Sequence, residues 1–309
     1  MISIGLPAIK PQFLAQAMQS VLDQTDTDFE LIVFNDRASS QIREVVRQFT
    51  DRRIRYEEGT GALPVVENWN RVLSFARGEY FVLFSDDDRY DPTFLAEMKC
   101  LINSYPSCKI FHCRVKKTDP RGTLLACTAE CPGFETGLEF IHHRMLGERE
   151  QFAPEFIADT LRLRDIGGFV DLPLAWGTDD LTWFQLALDG GIACHPQPLV
   201  EWRQSPHQIS ESGDVKERLV ALEKKSVLLQ EMVEKFLPQT EEDLKLLAKI
   251  KSITGVYEAR EKEYLIAVHA RNHSAISHIS FFFRHKVAFC LKFRWLAYSL
   301  FLKMKQGKF

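Results

Sequence analysis

A chain of 309 residues, 45% hydrophobic and 26% charged, is long enough to bury one large core or two smaller ones, which excludes a disordered polymer. Its net charge of −3 excludes a protein that is basic throughout, as a general nucleic-acid binder would be, so no nucleic-acid partner is expected. The charge is uneven, however: no acidic residue follows Glu263, whereas Arg271, Arg284, Lys286, Lys292, Arg294, Lys303, Lys305 and Lys308 do.

The opening "MISIGLP" has no basic segment ahead of an apolar one, so no signal peptide is expected. "ISIGL" is a strand-like apolar run closed by Pro7, and Leu14, Ala17, Met18, Val21 and Leu22 then recur at helical spacing. "FELIVFND" (29–36) reads as a second buried strand, "SQIREVVRQF" as a helix and residues 53–57 as a short strand. "LPVVENWNRVLSFARG" reads as a helix stopped by Gly78, which leads into the strand "EYFVLF". Strands alternating with helices predict an α/β fold with a parallel sheet flanked by helices. Ligands of such sheets gather outside the carboxyl ends of the strands, where Asn35-Asp36 and Asp86-Asp87-Asp88 fall.

From about 109 to 203 the pattern is irregular, with Gly167-Gly168 as a turn and an acidic pair at Asp179-Asp180; this suits a mixed half that completes a pocket. From about 213 the chain is mostly helical, first charged and then basic and aromatic. The cysteines, at 100, 108, 113, 127, 131, 194 and 290, are odd in number and lack paired zinc-type spacing, so reduced thiols in a cytosolic protein are expected. No apolar run reaches the roughly 18 residues of a membrane-spanning helix.

Three adjacent carboxylates at a strand end suit a divalent cation, since magnesium or manganese takes one or two carboxylates and shares its other positions with diphosphate and water. The same triplet can be a solvated turn capping a helix over 92–104, and the residues alone leave both open. Neither GxxxxGK[ST] nor GxGxxG is present, which sets aside a P-loop and a dinucleotide fingerprint. The tail "ISFFFRHKVAFCLKFRWLAYSLFLKMKQGKF" mixes aromatic and basic residues, the composition of a segment lying on an anionic membrane surface. In one continuous helix His285, Lys292 and Lys303 would share a face and Arg294 and Lys305 another, so packing against protein stands beside the membrane reading.

The segments "ISIGLPAIKPQFLAQAMQSVLDQTDTDFELIVFNDRAS", "NWNRVLSFARGEYFVLFSDDDRYDPTFL" and "DIGGFVDLPLAWGTDDLTWFQLALDGG", in that order and spacing, resemble family 2 glycosyltransferases of the GT-A fold over about residues 1–210. The resemblance implies a central, mostly parallel sheet flanked by helices as the catalytic domain (1–210), followed by a helical C-terminal region (211–309). It implies a metal-dependent, inverting hexosyltransferase-type enzyme that moves a sugar from a nucleotide-diphosphate donor, by default a UDP-sugar, to a saccharide or lipid-linked acceptor in surface polysaccharide biosynthesis. The location implied is cytoplasmic, with peripheral contact at the inner face of an anionic membrane.

Carried over by position, the resemblance implies donor contacts from Pro7, Ala8, Asp36, Asn68, Asp86 and Arg203, with Asn35 standing where the family has an acid. The DXD-type motif falls on Ser85, Asp86 and Asp87, making Asp87 the ligand of Mn2+ or Mg2+, joined by His207. Asp179 falls on the general base, with Asp180 as the fallback. Asn68 and Asn70, two apart on a helix, cannot share a face, so one of them is structural. Two other readings stand beside this one: a nucleotidyltransferase, for which "LPAIKPQF" offers only Lys10, and a catalytically silent scaffold or binding subunit, for which Ala8, Asn35 and Thr178 speak mildly.

Overall fold

The computed structural model describes residues 1–204 and 214–305. The first part alternates strictly: β1 (Ile2–Pro7), α1 (Leu14–Leu22), β2 (Phe29–Asn35), α2 (Ser40–Val46), β3 (Ile54–Glu58), α3 (Val65–Phe75) and β4 (Tyr80–Leu83). A helix between consecutive strands returns the chain to the same end of the sheet, and these strands pair parallel in the order β3-β2-β1-β4. β1 and β2 are buried along their whole length, as unbroken apolar runs require. Their side chains alternate between two layers: Leu31 and Val33 pack with α1, while Ile32 and Phe34 pack with α3.

The second part holds β5 (Arg89–Tyr90), α4 (Phe94–Ser104), β6 (Ile110–Thr118), β7 (Leu124–Cys127), β8 (Phe134–Glu135), α5 (Gly137–Leu146), β9 (Phe156–Asp159), α6 (Thr160–Asp165), α7 (Thr178–Ala187) and β10 (Ile192–Arg203). It extends the sheet as β4-β9-β6-β10-β5, with β7 on β6 and β8 on β10. Only β6 and β10 pair parallel here, so the expected parallel sheet is confined to the first half and the second half is mixed.

Two local expectations are corrected. α3 stops at Phe75 instead of running to Gly78, because Arg164 Nη2 donates to the carbonyls of Leu73 (2.9 Å) and Ala76 (2.6 Å), satisfying the end of the helix from outside. The cysteines are not all free thiols: Cys131 and Cys194 are joined, leaving Cys100, Cys108, Cys113, Cys127 and Cys290 free. A separation of 63 residues carries no pairing signal; the contact is made by strand pairing late in the sheet.

The helices α8 (Val215–Lys235), α9 (Glu241–Asn272), α10 (Ala275–His285) and α11 (Phe293–Lys305) close the chain. α9 packs against α5 and α8, and α11 lies along α9 over a core that includes Leu219, Leu265, Phe282 and Trp295. No helix of the described residues is long and apolar enough to cross a membrane. The helical break at 286–292 removes the shared face expected for His285, Lys292 and Lys303. Lys303 instead turns inward and donates to the carbonyls of Ala270 (3.0 Å) and His273 (2.7 Å), capping the end of α9.

Candidate active site

The chain leaving β4 carries Asp86, Asp87 and Asp88 past the ends of β1 and β10. Asp86 Oδ2 accepts from the backbone N–H groups of Ile9 (2.7 Å) and Lys10 (2.6 Å), tying the loop after β1 to the loop after β4. Burial pushes the Asp86 carboxyl up to about 6, against the pull of the two amides and with the help of the Asp87 charge. Asp88 Oδ1 accepts from the N–H of Arg203 (2.8 Å), and burial, then the charge on Asp87, raises its pKa well above the ordinary value. The flanking aspartates thus bind backbone, while Asp87 meets a side-chain cation, Lys10 Nζ at 3.6 Å.

The helix-cap alternative for the triplet is removed. Asp86 and Asp88 are buried, and the start of α4 is tied by Asp91, whose Oδ1 accepts from the N–H (3.1 Å) and Oγ1 (2.9 Å) of Thr93.

A second acidic wall forms at the start of α7. Asp180 is buried between Arg144 of α5 (Nε 2.9 Å, Nη2 3.3 Å) and Lys225 of α8, which also donates to Tyr257 Oη of α9 (2.7 Å). Gly177, at φ 81°, makes room for this: a Cβ there would stand 2.6 Å from Lys225 Cδ. Although burial alone would raise the Asp180 carboxyl, Arg144 and Lys225 hold it down to about 2, and Asp180 in turn raises the pKa values of both cations against the cost of burying them.

Asp179 behaves oppositely. Its Oδ1 accepts from the N–H of Asp180 (3.0 Å), while burial and then the Asp180 charge push it up to about 6. The N-cap position itself is Gly177, so Asp179 is not spent as a helix cap. Just upstream, Leu174 (φ 56°) and Ala175 (φ 54°) adopt the left-handed region without being glycine, a strain that marks a held loop.

Between these walls lies a cavity of about 340 Å³ lined by Pro7, Lys10 and Asp86–Asp88 on one side and by Arg144, Asp179, Asp180, Lys225 and Glu261 on the other. Trp69, Phe152, Trp176 and Trp202 complete it with apolar surface. Lys225 and Glu261 lie beyond residue 210, so the helical region supplies part of the cavity wall. Asp87 offers a hard carboxylate oxygen facing this space, a donor that fits magnesium or manganese when diphosphate and water fill the other positions.

Of the other residues expected to touch the donor, Ala8, Asp36, Asn68 and Arg203 do not line the cavity. The Ala8 N–H is taken by the carbonyl of Phe34 (2.9 Å), which leaves that residue only its carbonyl. Asp36 accepts from the N–H of Leu63 (3.0 Å) through Oδ2, while its buried Oδ1 has no hydrogen-bond partner among the described residues. Asn35 is explained by its neighbours: its amide donates to Ser39 O and Tyr56 Oη and accepts from the N–H of Ser39, a pattern that needs a donor a carboxylate lacks. Arg203 lies over the Phe13 ring (4.0 Å) and donates to Gln16 Oε1 (3.1 Å), on the α1 side.

Asn70 is the structural member of its pair, bracketing Phe169 through its N–H (2.8 Å) and carbonyl (3.2 Å). Gly168 sits against that asparagine side chain, and neither it nor Gly167 lines the cavity. His207 lies outside the described residues.

Residues 6–136 match the model of the family described as glycosyl transferase family 2. Protein CgeD of Bacillus subtilis (strain 168) is 30% identical over 97 residues, covering 29% of this chain and 23% of that protein. The uncharacterized protein y4gI of Sinorhizobium fredii is 26% identical over 181 residues, covering 55% of this chain and 18% of that protein. The chain thus spans about a fifth of each of these two relatives. Among solved structures, S. aureus TarS 1-349 in complex with UDP-GlcNAc superposes with a TM-score of 0.66 at 14% identity, over 86% of this chain and 81% of that one. The mannosyltransferase PcManGT from Pyrobaculum calidifontis, in complex with GDP-Man and Mn2+, gives 0.59 at 13% identity over 97% and 84%. At these identities the structures establish the GT-A fold.

Proposed function

We propose that this chain, whose residues 6–136 match the model of glycosyl transferase family 2, is an inverting glycosyltransferase that moves a sugar from a nucleoside-diphosphate donor, UDP-linked by default, to a saccharide or lipid-linked acceptor in surface-glycan assembly. The observation that carries this reading is one cavity with Asp87 and Lys10 on one wall and Asp179 on the other. Asp87 would hold Mn2+ or Mg2+, and the metal would supply positive charge to a diphosphate leaving group. Lys10 adds a fixed positive charge, and Asp86 holds the two loops that form this wall. Asp36, just outside the cavity lining, would serve as the acceptor for the nucleoside through Oδ1, which makes no hydrogen bond among the described residues and stands 3.9 Å from Arg37 Nε.

Asp179 accepts the acceptor hydroxyl proton as that oxygen bonds to the anomeric carbon and the bond to diphosphate oxygen breaks, so configuration inverts in one displacement. A carboxyl near 6 is mostly ionised at neutral pH and still basic enough to take that proton. Asp180 is no substitute, because its oxygens are held by Arg144 and Lys225; it orients Asp179 instead. The aromatic lining suits the apolar faces of sugar rings. Titration with UDP, GDP, CMP and dTDP, with and without manganese, is expected to show one nucleotide bound tightly only with metal. Indifference to all four would remove the donor site and favour the scaffold reading.

The tail supports peripheral attachment. One side of α10 and α11 packs on the protein, while Ile276, Phe283, Val287, Phe301 and Met304 are exposed, with Arg284, Lys292, Arg294 and Lys305 exposed on the same two helices and their junction. Anionic liposomes should float the full chain and not a truncation before Ile279; equal flotation of the two excludes the tail as the contact.

A further inference from the structure

Behind the cavity, strand pairing sets His112 of β6 directly beside Cys194 of β10. The N–H of Cys194 donates to the carbonyl of Gly133 (3.0 Å), which lays Cys131 alongside. The imidazole nitrogen and the two Sγ atoms lie within 4.8 Å of one another. The sulfurs are bonded together, but that bond does nothing for the histidine. His112 is 6% exposed, its Nε2 has no hydrogen-bond partner among the described residues, and an orphaned buried nitrogen is costly. Its Nδ1 stands 3.8 Å from Glu155 Oε1, and Glu155 is itself buried with Oε2 lacking a hydrogen bond among the described residues. The ring is held flat against Phe156 at 5.3 Å between centroids.

We infer that Cys131, Cys194 and His112 form a second cation site, for a soft divalent metal such as Zn2+, which opens when the cysteine pair is reduced. Two thiolates and a neutral imidazole are soft donors that zinc accepts, distinct from the hard oxygen of Asp87, and three protein ligands leave the fourth tetrahedral position open to water. A carboxylate behind the free nitrogen of the histidine is the usual support for such a ligand. Cys131 is only partly buried, so reductant and metal have a way in. A dithiol supplies two electrons and two protons to the pair and is itself oxidised to a disulfide; Zn2+ then displaces both thiol protons to solvent.

The test uses the full chain, reduced with a dithiol under anaerobic conditions, freed of metal and titrated with Zn2+ against a chromophoric chelator, then with Co2+. One equivalent of zinc per chain and a thiolate-to-cobalt absorption band are expected. Cys131→Ser, a change on a half-exposed loop whose folding circular dichroism can verify, should abolish both, and Glu155→Gln should weaken zinc binding about tenfold or more. Reduced protein that binds zinc no better than Cys131→Ser overturns the inference, as does equal binding by the oxidised protein. Because the readout is metal stoichiometry, either result is independent of sugar transfer.

Discussion

The two acidic walls of the cavity hold their carboxylates by different means. On the β4 side, Asp86 and Asp88 are fixed by backbone N–H groups from Ile9, Lys10 and Arg203; on the α7 side, Asp180 is fixed by side chains from α5 and α8. Backbone N–H groups donate to a carboxylate without neutralising its charge, so Asp86 and Asp88 are pushed upward by burial. Two cations neutralise Asp180 outright, and Asp179 beside it keeps a raised pKa. A carboxylate held ionised and a neighbouring carboxyl raised to about 6 are thus built from the same residue type by the choice of partner.

The largest expected effect lies on the poised base. Asp179→Asn should lower kcat by about 10² to 10⁴. In the unaltered enzyme kcat should fall as pH drops through about 6, because protonation removes the base form of a carboxyl whose pKa is raised. A plateau of kcat continuing well below pH 5 would mean another group takes the proton.

Next comes a paired measurement of stability, one change on each wall. Lys225→Met strips one partner from a buried charge and should cost about 3 kcal/mol in urea unfolding at neutral pH. Asp180 has a depressed pKa, so this loss should be complete above about pH 4 and shrink as pH falls toward 2. Asp86→Asn keeps an acceptor for the two amides and removes an unneutralised buried charge, so it should stabilise the ligand-free protein by about 1 to 2 kcal/mol. Asp86 has a raised pKa, so that gain should be full above about pH 6 and vanish below about 4. Two changes of the same sign would erase the contrast between the walls.

The difference between the walls also explains what was legible in the sequence. The β4 wall is local: an apolar strand followed by aspartates reads from consecutive residues, as does the alternation that builds β1 to β4. Asp179 was reached through a resemblance in its own helix. Arg144 and Lys225 lie 36 and 45 residues from Asp180, in helices whose periodicity shows only which face is apolar, so nothing local marks them. Trp69 was within reach, since one asparagine on each side, Asn68 and Asn70, leaves it a third direction on the helix. His112 and Cys194 meet through the β6–β10 register, and Cys131 joins them through the Cys194 N–H to Gly133 carbonyl bond, contacts that spacing along the chain does not encode.

The division of labour between the walls is tested most directly by calorimetry of the preferred nucleotide with manganese on Asp87→Ala and Asp179→Asn. Asp87→Ala should weaken donor affinity about tenfold or more, through loss of the proposed metal ligand, and Asp179→Asn should change it less than about twofold. Equal loss of affinity in both variants would contradict it, because Asp179 would then belong to the donor site and the base would have to be sought elsewhere.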